Sequence, residues 1–144
     1  QIKLSFVNED VNEKNIRMAL NFGHTFAHAI EVKNNYSKKI THGVPVLEGM
    51  ILATKLSIHK KVCRRKTLED ILDIYRSNYL DYTLKKHCSL KEIKSLIPYL
   101  KNDKKNNDGR INFILLNKIG KTAKPNKHKI STDELRKNIK YITL

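Results

Sequence analysis

Arg17-Met-Ala-Leu-Asn21-Phe-Gly-His24-Thr-Phe-Ala-His28-Ala-Ile-Glu31 is an apolar helical pattern carrying a row of polar groups at spacings of four, three and four. On one continuous α-helix these offsets stack Arg17, Asn21, His24 and His28 on a single face. A guanidinium, an amide and two imidazoles in a stripe need polar partners if buried, because an unpaired buried polar group costs ~1–3 kcal/mol. A metal ion together with a phosphate would satisfy all four. His24 and His28 at i,i+4 share the geometry of two-histidine zinc helices, a weak signal on its own. Gly23 adds to it: glycine inside a helix costs ~1 kcal/mol relative to alanine, so its presence points to something approaching the backbone closely.

The pattern extends on both sides. Residues 1–7 alternate as a short strand or extended lead-in. Asp10-Val-Asn-Glu13 has the form of a capping box, which predicts a helix over about 12–33. A polar loop follows to Thr41. His42-Gly43 then opens a second helix over about 44–61, with Pro45 in its first turn, where proline is tolerated. Its apolar positions run through Val46, Leu47, Met50, Ile51, Thr54 and Ile58, a largely buried pattern. Thr67-Leu-Glu-Asp70 starts a third helix and Ser89-Leu-Lys-Glu92 a fourth, ending near Tyr99 or Leu100. Ile111-Asn-Phe-Ile-Leu-Leu116 is strand-like by branching and alternation, residues 118–128 read as a loop, and Ser131-Thr-Asp-Glu134 caps a last helix. With no internal repeat and no low-complexity linker, residues 1–144 read as one mainly α domain with one or two short strands.

Composition bounds the function. The chain of 144 residues is long enough for one real core, and 40% hydrophobic content suits a globular protein. No apolar run approaches the ~20 residues that span a bilayer, and no secretory signal is visible. The start lacks Met, as an excised piece would. Cys63 and Cys88 are too few and too far apart for a disulfide framework or a CxxC site, which fits reduced thiols in the cytoplasm. A balance of 29 Lys+Arg against 14 Asp+Glu gives +15, a charge that suits nucleic acid or an anionic small molecule. A solvated surface rich in Lys, Asn and Ile gives the same sum. No aromatic residues interleave with the basic run at 55–66 as a stacking surface for bases would require, so nucleic acid is not the expected partner.

Two further features carry chemistry only in context. His42, at a helix entry facing the middle of the previous helix, is either a second side of the same metal site or an ordinary loop histidine. Lys104 and Lys105, after a helix end and before a strand, either hold phosphate as point charges or sit in a solvated turn. Lys3 has no signal of its own.

Three blocks together resemble a known family. Arg17…Leu20-Asn-Phe-Gly-His-Thr-Phe-Ala-His-Ala-Ile-Glu31, then His42-Gly43-Val-Pro-Val46…Gly49-Met50, then Asp103-Lys104-Lys105…Gly109…Ile114-Leu115-Leu116 resemble the C-terminal domain of 3-dehydroquinate synthase in order and spacing. Other sugar-phosphate cyclases and, more distantly, metal-dependent polyol dehydrogenases share parts of the pattern. The resemblance implies a helical-bundle domain that carries most of a metal and substrate site, with NAD bound mainly by an N-terminal Rossmann-like domain and the whole enzyme a homodimer. It implies zinc or cobalt as the metal, and a sugar phosphate as substrate, cyclised with loss of phosphate in the shikimate pathway. By motif, His24 and His42 resemble two metal ligands; the family's third, a glutamate, lies upstream of the matched blocks. His28 resembles a histidine near the phosphate that transfers a proton. Arg17, Asn21 and Lys3 resemble substrate contacts, and one of Lys104 and Lys105 the residue that meets the phosphate end. The chain departs from the family at Ala27, where glycine is usual, at Val44-Pro45, where an acidic and a small residue are common, and at Glu48, where an apolar residue is usual. Without the NAD-binding half, these residues are expected to be inactive alone.

Overall fold

The computed structural model describes residues 2–14, 16–37, 40–81, 84, 88–100 and 109–144. It is mainly helical, as the periodicity indicates. Helix α1 (Ile2–Glu9) leads into a 3₁₀ segment (Ile16–Asn21), followed by α2 (His24–Lys33), α3 (Gly43–His59), α4 (Arg65–Ser77) and α5 (Leu90–Leu100). Strands β1 (Arg110–Asn112), β2 (Leu116–Lys118), β3 (Lys121–Thr122) and β4 (Lys129–Ser131) precede α6 (Thr132–Asn138) and a closing 3₁₀ turn. Among the described residues no helix is long and apolar enough to cross a membrane.

Two expectations at the N-terminus are corrected. Residues 2–9 are helical, not extended. The alternation of Ile2, Leu4 and Phe6 does not mark a half-buried strand face, for Leu4 is exposed; the backbone satisfies itself locally, with Asp10 N–H donating to Phe6 O at 3.1 Å. The helix predicted over 12–33 is not continuous either. It is a 3₁₀ segment and an α-helix, separated at Gly23, which has φ +85°. The Asp10–Glu13 capping box does not form: Glu13 is left-handed (φ +52°), and the Asp10 carboxylate accepts instead from Lys14 N–H at 3.0 Å and, in the 3₁₀ segment, Arg17 N–H at 3.1 Å.

The break has a tertiary cause. A Cβ on Gly23 would lie 2.7 Å from Met50 N, and one on Gly49 would lie 2.2 Å from Gly23 O. Two backbones therefore cross in contact at the start of α2 and the middle of α3, and only hydrogen fits between them. The close approach that Gly23 signals is thus the next helix. Ala27, fully buried, sits one turn on, its N–H bonded to Gly23 O at 3.0 Å.

Helix α3 is the central element. Its buried face (Ile51, Leu52, Leu56) joins Phe26 of α2, Ile93 and Leu96 of α5, and Phe113 in one core, with the Phe26 and Phe113 rings 5.1 Å apart. Ser57 Oγ donates to Ala53 O at 2.6 Å and accepts from Leu116 N–H at 2.9 Å, fastening β2 to α3. Helix α2 is held from two other sides. Lys33 pairs with Glu92 of α5, and Thr25 Oγ1 donates to Asn112 O of β1 at 3.3 Å.

The strands exceed expectation. Four form two antiparallel pairs, β1 with β4 and β2 with β3. The second pair turns at Ile119-Gly120, where Gly120 adopts φ +79°, inside the stretch read as loop. Two predicted caps hold, with Ser89 Oγ accepting from Glu92 N–H at 3.5 Å and Ser131 Oγ from Glu134 N–H at 3.1 Å; α4, by contrast, starts at Arg65, two residues before the predicted Thr67, with no side-chain cap.

Gly49→Ala is expected to destabilise the chain by about 3 kcal/mol, the upper range for overpacking, since the added methyl meets backbone and not a movable side chain. Ser131→Ala, a lost N-cap, should cost only ~1 kcal/mol. Urea melts of the two variants decide; equal losses would refute the backbone crossing as a tight constraint.

Candidate metal and anion site

The crossing of α2 and α3 fixes where the histidines meet. His24 is the first residue of α2, immediately after the left-handed Gly23. His28 is one turn further on and exposed. His42 is the residue before α3. The His24 ring centroid lies 5.7 Å from that of His28 and 5.8 Å from that of His42. Three imidazoles from two helices thus face one small space.

Their environments differ. His24 Nδ1 is buried with no hydrogen-bond partner among the described residues. Burial is the main reason its pKa falls below the ordinary histidine value; a backbone hydrogen bond to Phe22 opposes this, and the nearby His28 and His42 rings reinforce it. His24 is therefore held as the neutral base, the form that ligates a metal. His42 is solvent-facing, and its Nδ1 lies 2.6 Å from Glu31 Oε1. Among the described residues no group of three or more His, Cys, Asp or Glu side chains is set to hold a metal. Two imidazoles with a buried orphaned nitrogen fit part of a catalytic zinc or cobalt site, which takes three protein ligands.

The other predicted residues are elsewhere. Because the chain breaks at Gly23, Arg17 and Asn21 do not continue the face of His24 and His28. Arg17 Nη1 donates to Val11 O at 2.8 Å, and Asn21 Nδ2 donates to Glu13; both are spent on the turn over 10–14. Lys3 is exposed on α1. Lys104 and Lys105 lie outside the described residues, between α5 and β1, both of which pack against α2. The stripe on α2 itself is His24, His28 and Glu31. Glu31 was not singled out by spacing, and its partner His42 lies across a loop. The signal available was its place three residues after His28.

The neutral His24 has a consequence for stability. Its folded-state pKa is depressed, so the unfolded chain takes up the proton first. Stability is then full above about pH 6.5 and is lost as pH falls through the folded-state value. Urea melts of the metal-free chain at a series of pH values should show a steeper acid loss than His24→Gln; parallel curves would refute it.

A family model described as 3-dehydroquinate synthase C-terminal matches residues 1–106. The chain is 39% identical over 119 residues to a 3-dehydroquinate synthase of Pelagibacter ubique (strain HTCC1062), covering 83% of this chain and 32% of that one. It is 40% identical over 122 residues to one from Endomicrobium trichonymphae, covering 84% and 32%. The chain thus spans about a third of the length of these curated relatives. Among solved structures, a 2-deoxy-scyllo-inosose synthase complexed with carbaglucose-6-phosphate, NAD+ and Co2+ superposes with TM-score 0.78 at 24% identity, over 99% of this chain and 38% of that one. ValA, a 2-epi-5-epi-valiolone synthase from Streptomyces hygroscopicus subsp. jinggangensis 5008 with NAD+ and Zn2+ bound, gives 0.67 at 22%, over 96% and 36%. These two show the shared fold. With the family model spanning residues 1–106 and the relatives agreeing with it, the chain belongs to the 3-dehydroquinate synthase C-terminal family.

Proposed function

We propose that this chain supplies the metal- and substrate-binding part of a 3-dehydroquinate synthase. That activity turns 3-deoxy-D-arabino-heptulosonate 7-phosphate into 3-dehydroquinate and inorganic phosphate. The observation that carries the reading is the meeting of His24 and His42, 5.8 Å apart, from two helices locked together by glycine backbones. The relatives, at 39% and 40% identity, favour dehydroquinate synthesis over the other cyclases that share the fold at 24% or less.

In this reading His24 and His42 supply two ligands to a divalent cation, zinc or cobalt, and a carboxylate from the N-terminal, NAD-binding half supplies the third. The cation, when bound, makes substrate hydroxyls more acidic. NAD, held by the N-terminal half, would supply a reversible acceptor for hydride from a hydroxyl-bearing carbon of the substrate. His28, exposed beside His24, moves a proton near the phosphate. Arg17, whose planar fork suits phosphate or carboxylate, and Asn21 reach the substrate by giving up their bonds to the 10–14 turn. Lys3 and one of Lys104 and Lys105 complete the anion's surroundings. The partners are thus a sugar phosphate, the NAD-binding half and, in the whole enzyme, a second subunit, in the cytoplasm.

Zinc titrated calorimetrically into the chain should bind weakly, and His24→Ala should abolish that binding. The 144 residues alone should release no phosphate from the heptulosonate phosphate with NAD present; joined behind the NAD-binding half of the Pelagibacter ubique relative they should. Wild-type zinc binding in His24→Ala, or a joined chain that stays inactive, would overturn the reading.

A further inference from the structure

His42 enters α3 after a polar stretch of sequence, and nothing in its local sequence fixes the ring. The side chain is 61% exposed, whereas that of Glu31, on the body of α2, is 16% exposed. The carboxylate is therefore the fixed partner and the imidazole the one being held. Their contact, Glu31 Oε1 to His42 Nδ1 at 2.6 Å, has one proton assignment when the acid is ionised. A carboxylate has only acceptor sites, so the proton belongs to Nδ1. His42 is then the Nδ1–H tautomer, and its free lone pair is on Nε2. Glu31 also shares its helix face with His24 and His28, so the same rigid element that presents His24 sets the orientation of His42.

We propose that Glu31 is a positioning residue: it fixes the tautomer and ring orientation of His42 so that Nε2, and not Nδ1, is offered to the cation beside His24. This rests on the reading of His24 and His42 as ligands. Histidine ligands commonly donate their second ring N–H to a carboxylate, and removing such a partner costs 10–100-fold in metal affinity. The bond matters more in this chain because Val44 and Pro45 follow His42-Gly43; neither has a polar side chain with which to orient the ring.

The test uses the chain itself, with zinc alone as the probe, and two readouts. Calorimetry of Glu31→Ala should show affinity weakened roughly 10–100-fold, while Glu31→Gln, whose amide oxygen still accepts from Nδ1–H, keeps most of it. Imidazole ¹⁵N spectra of the metal-free chain, above the pH at which histidine protonates, should report Nδ1–H for His42 in wild type and Glu31→Gln, and Nε2–H gaining in Glu31→Ala. Circular dichroism checks that the variants fold; a folded Glu31→Ala chain with unchanged tautomer and affinity overturns the proposal. Equal loss in Glu31→Gln and Glu31→Ala also overturns it, pointing to direct ligation by the carboxylate. Zinc binding untouched by His24→Ala and His42→Ala would remove the metal reading itself; the tautomer spectra separate that failure from the first.

Discussion

The contact between the backbones of Gly23 and Gly49 is the constraint on which the rest of the site depends. Helix axes usually approach to 8–10 Å because side chains stand between them. Here a Cβ on Gly49 would lie 2.2 Å from Gly23 O, so the helices meet without side chains at the crossing. Two consequences follow at once. Gly23 is pressed into a left-handed conformation that few other residues tolerate, which ends the 3₁₀ segment and starts α2 with His24. And α2 is held against α3, with the His42 ring at the entry to α3 5.8 Å from that of His24. A looser crossing would separate the two rings by about the thickness of a side chain.

Burial then divides the histidines by role. His24, at the crossing, is desolvated and kept neutral. His42 and His28 are exposed, the former held by Glu31. Such a gradient, from a desolvated base at the back to exposed ones at the front, is compatible with the proposed division between metal binding and proton transfer. The +15 net charge acts over a longer range; it would raise the local concentration of any anionic ligand without deciding where it sits.

What was legible in the sequence was local. The caps at Ser89 and Ser131 are chemistry over four residues. The pattern of α3 is one face of one helix, and the family blocks carried His24, His28 and His42 by motif. What was not legible depended on contacts distant in sequence. The apolar period runs unbroken through Gly23, so only the partner helix reveals that the chain kinks there; this is why the stripe of Arg17, Asn21, His24 and His28 dissolved into two segments. The hairpin at Ile119-Gly120 and the pairing of β1 with β4 likewise join segments whose own sequences are short and polar. The extended reading of residues 1–7 failed because alternation over so few residues does not distinguish a strand from a helix that buries only half its surface.

The broken stripe bears on how a substrate would be engaged. Arg17 donates to Val11 O on the surface and Asn21 to Glu13 in the same turn. Each bond has one charged member, the guanidinium in the first and the carboxylate in the second, whereas a phosphate or carboxylate would offer Arg17 two charge-paired bonds at once. If the proposed reading holds, an anion within reach of Arg17 would compete with Val11 O for the guanidinium. The exchange releases Arg17 N–H bonds but leaves the cap on Asp10 intact, because that cap uses the Arg17 backbone and not its side chain. In the proposed reading, ligand capture would draw on side chains such as those of Arg17 and Asn21, while the His24–His42 pair, resting on a tight backbone crossing, would keep its geometry.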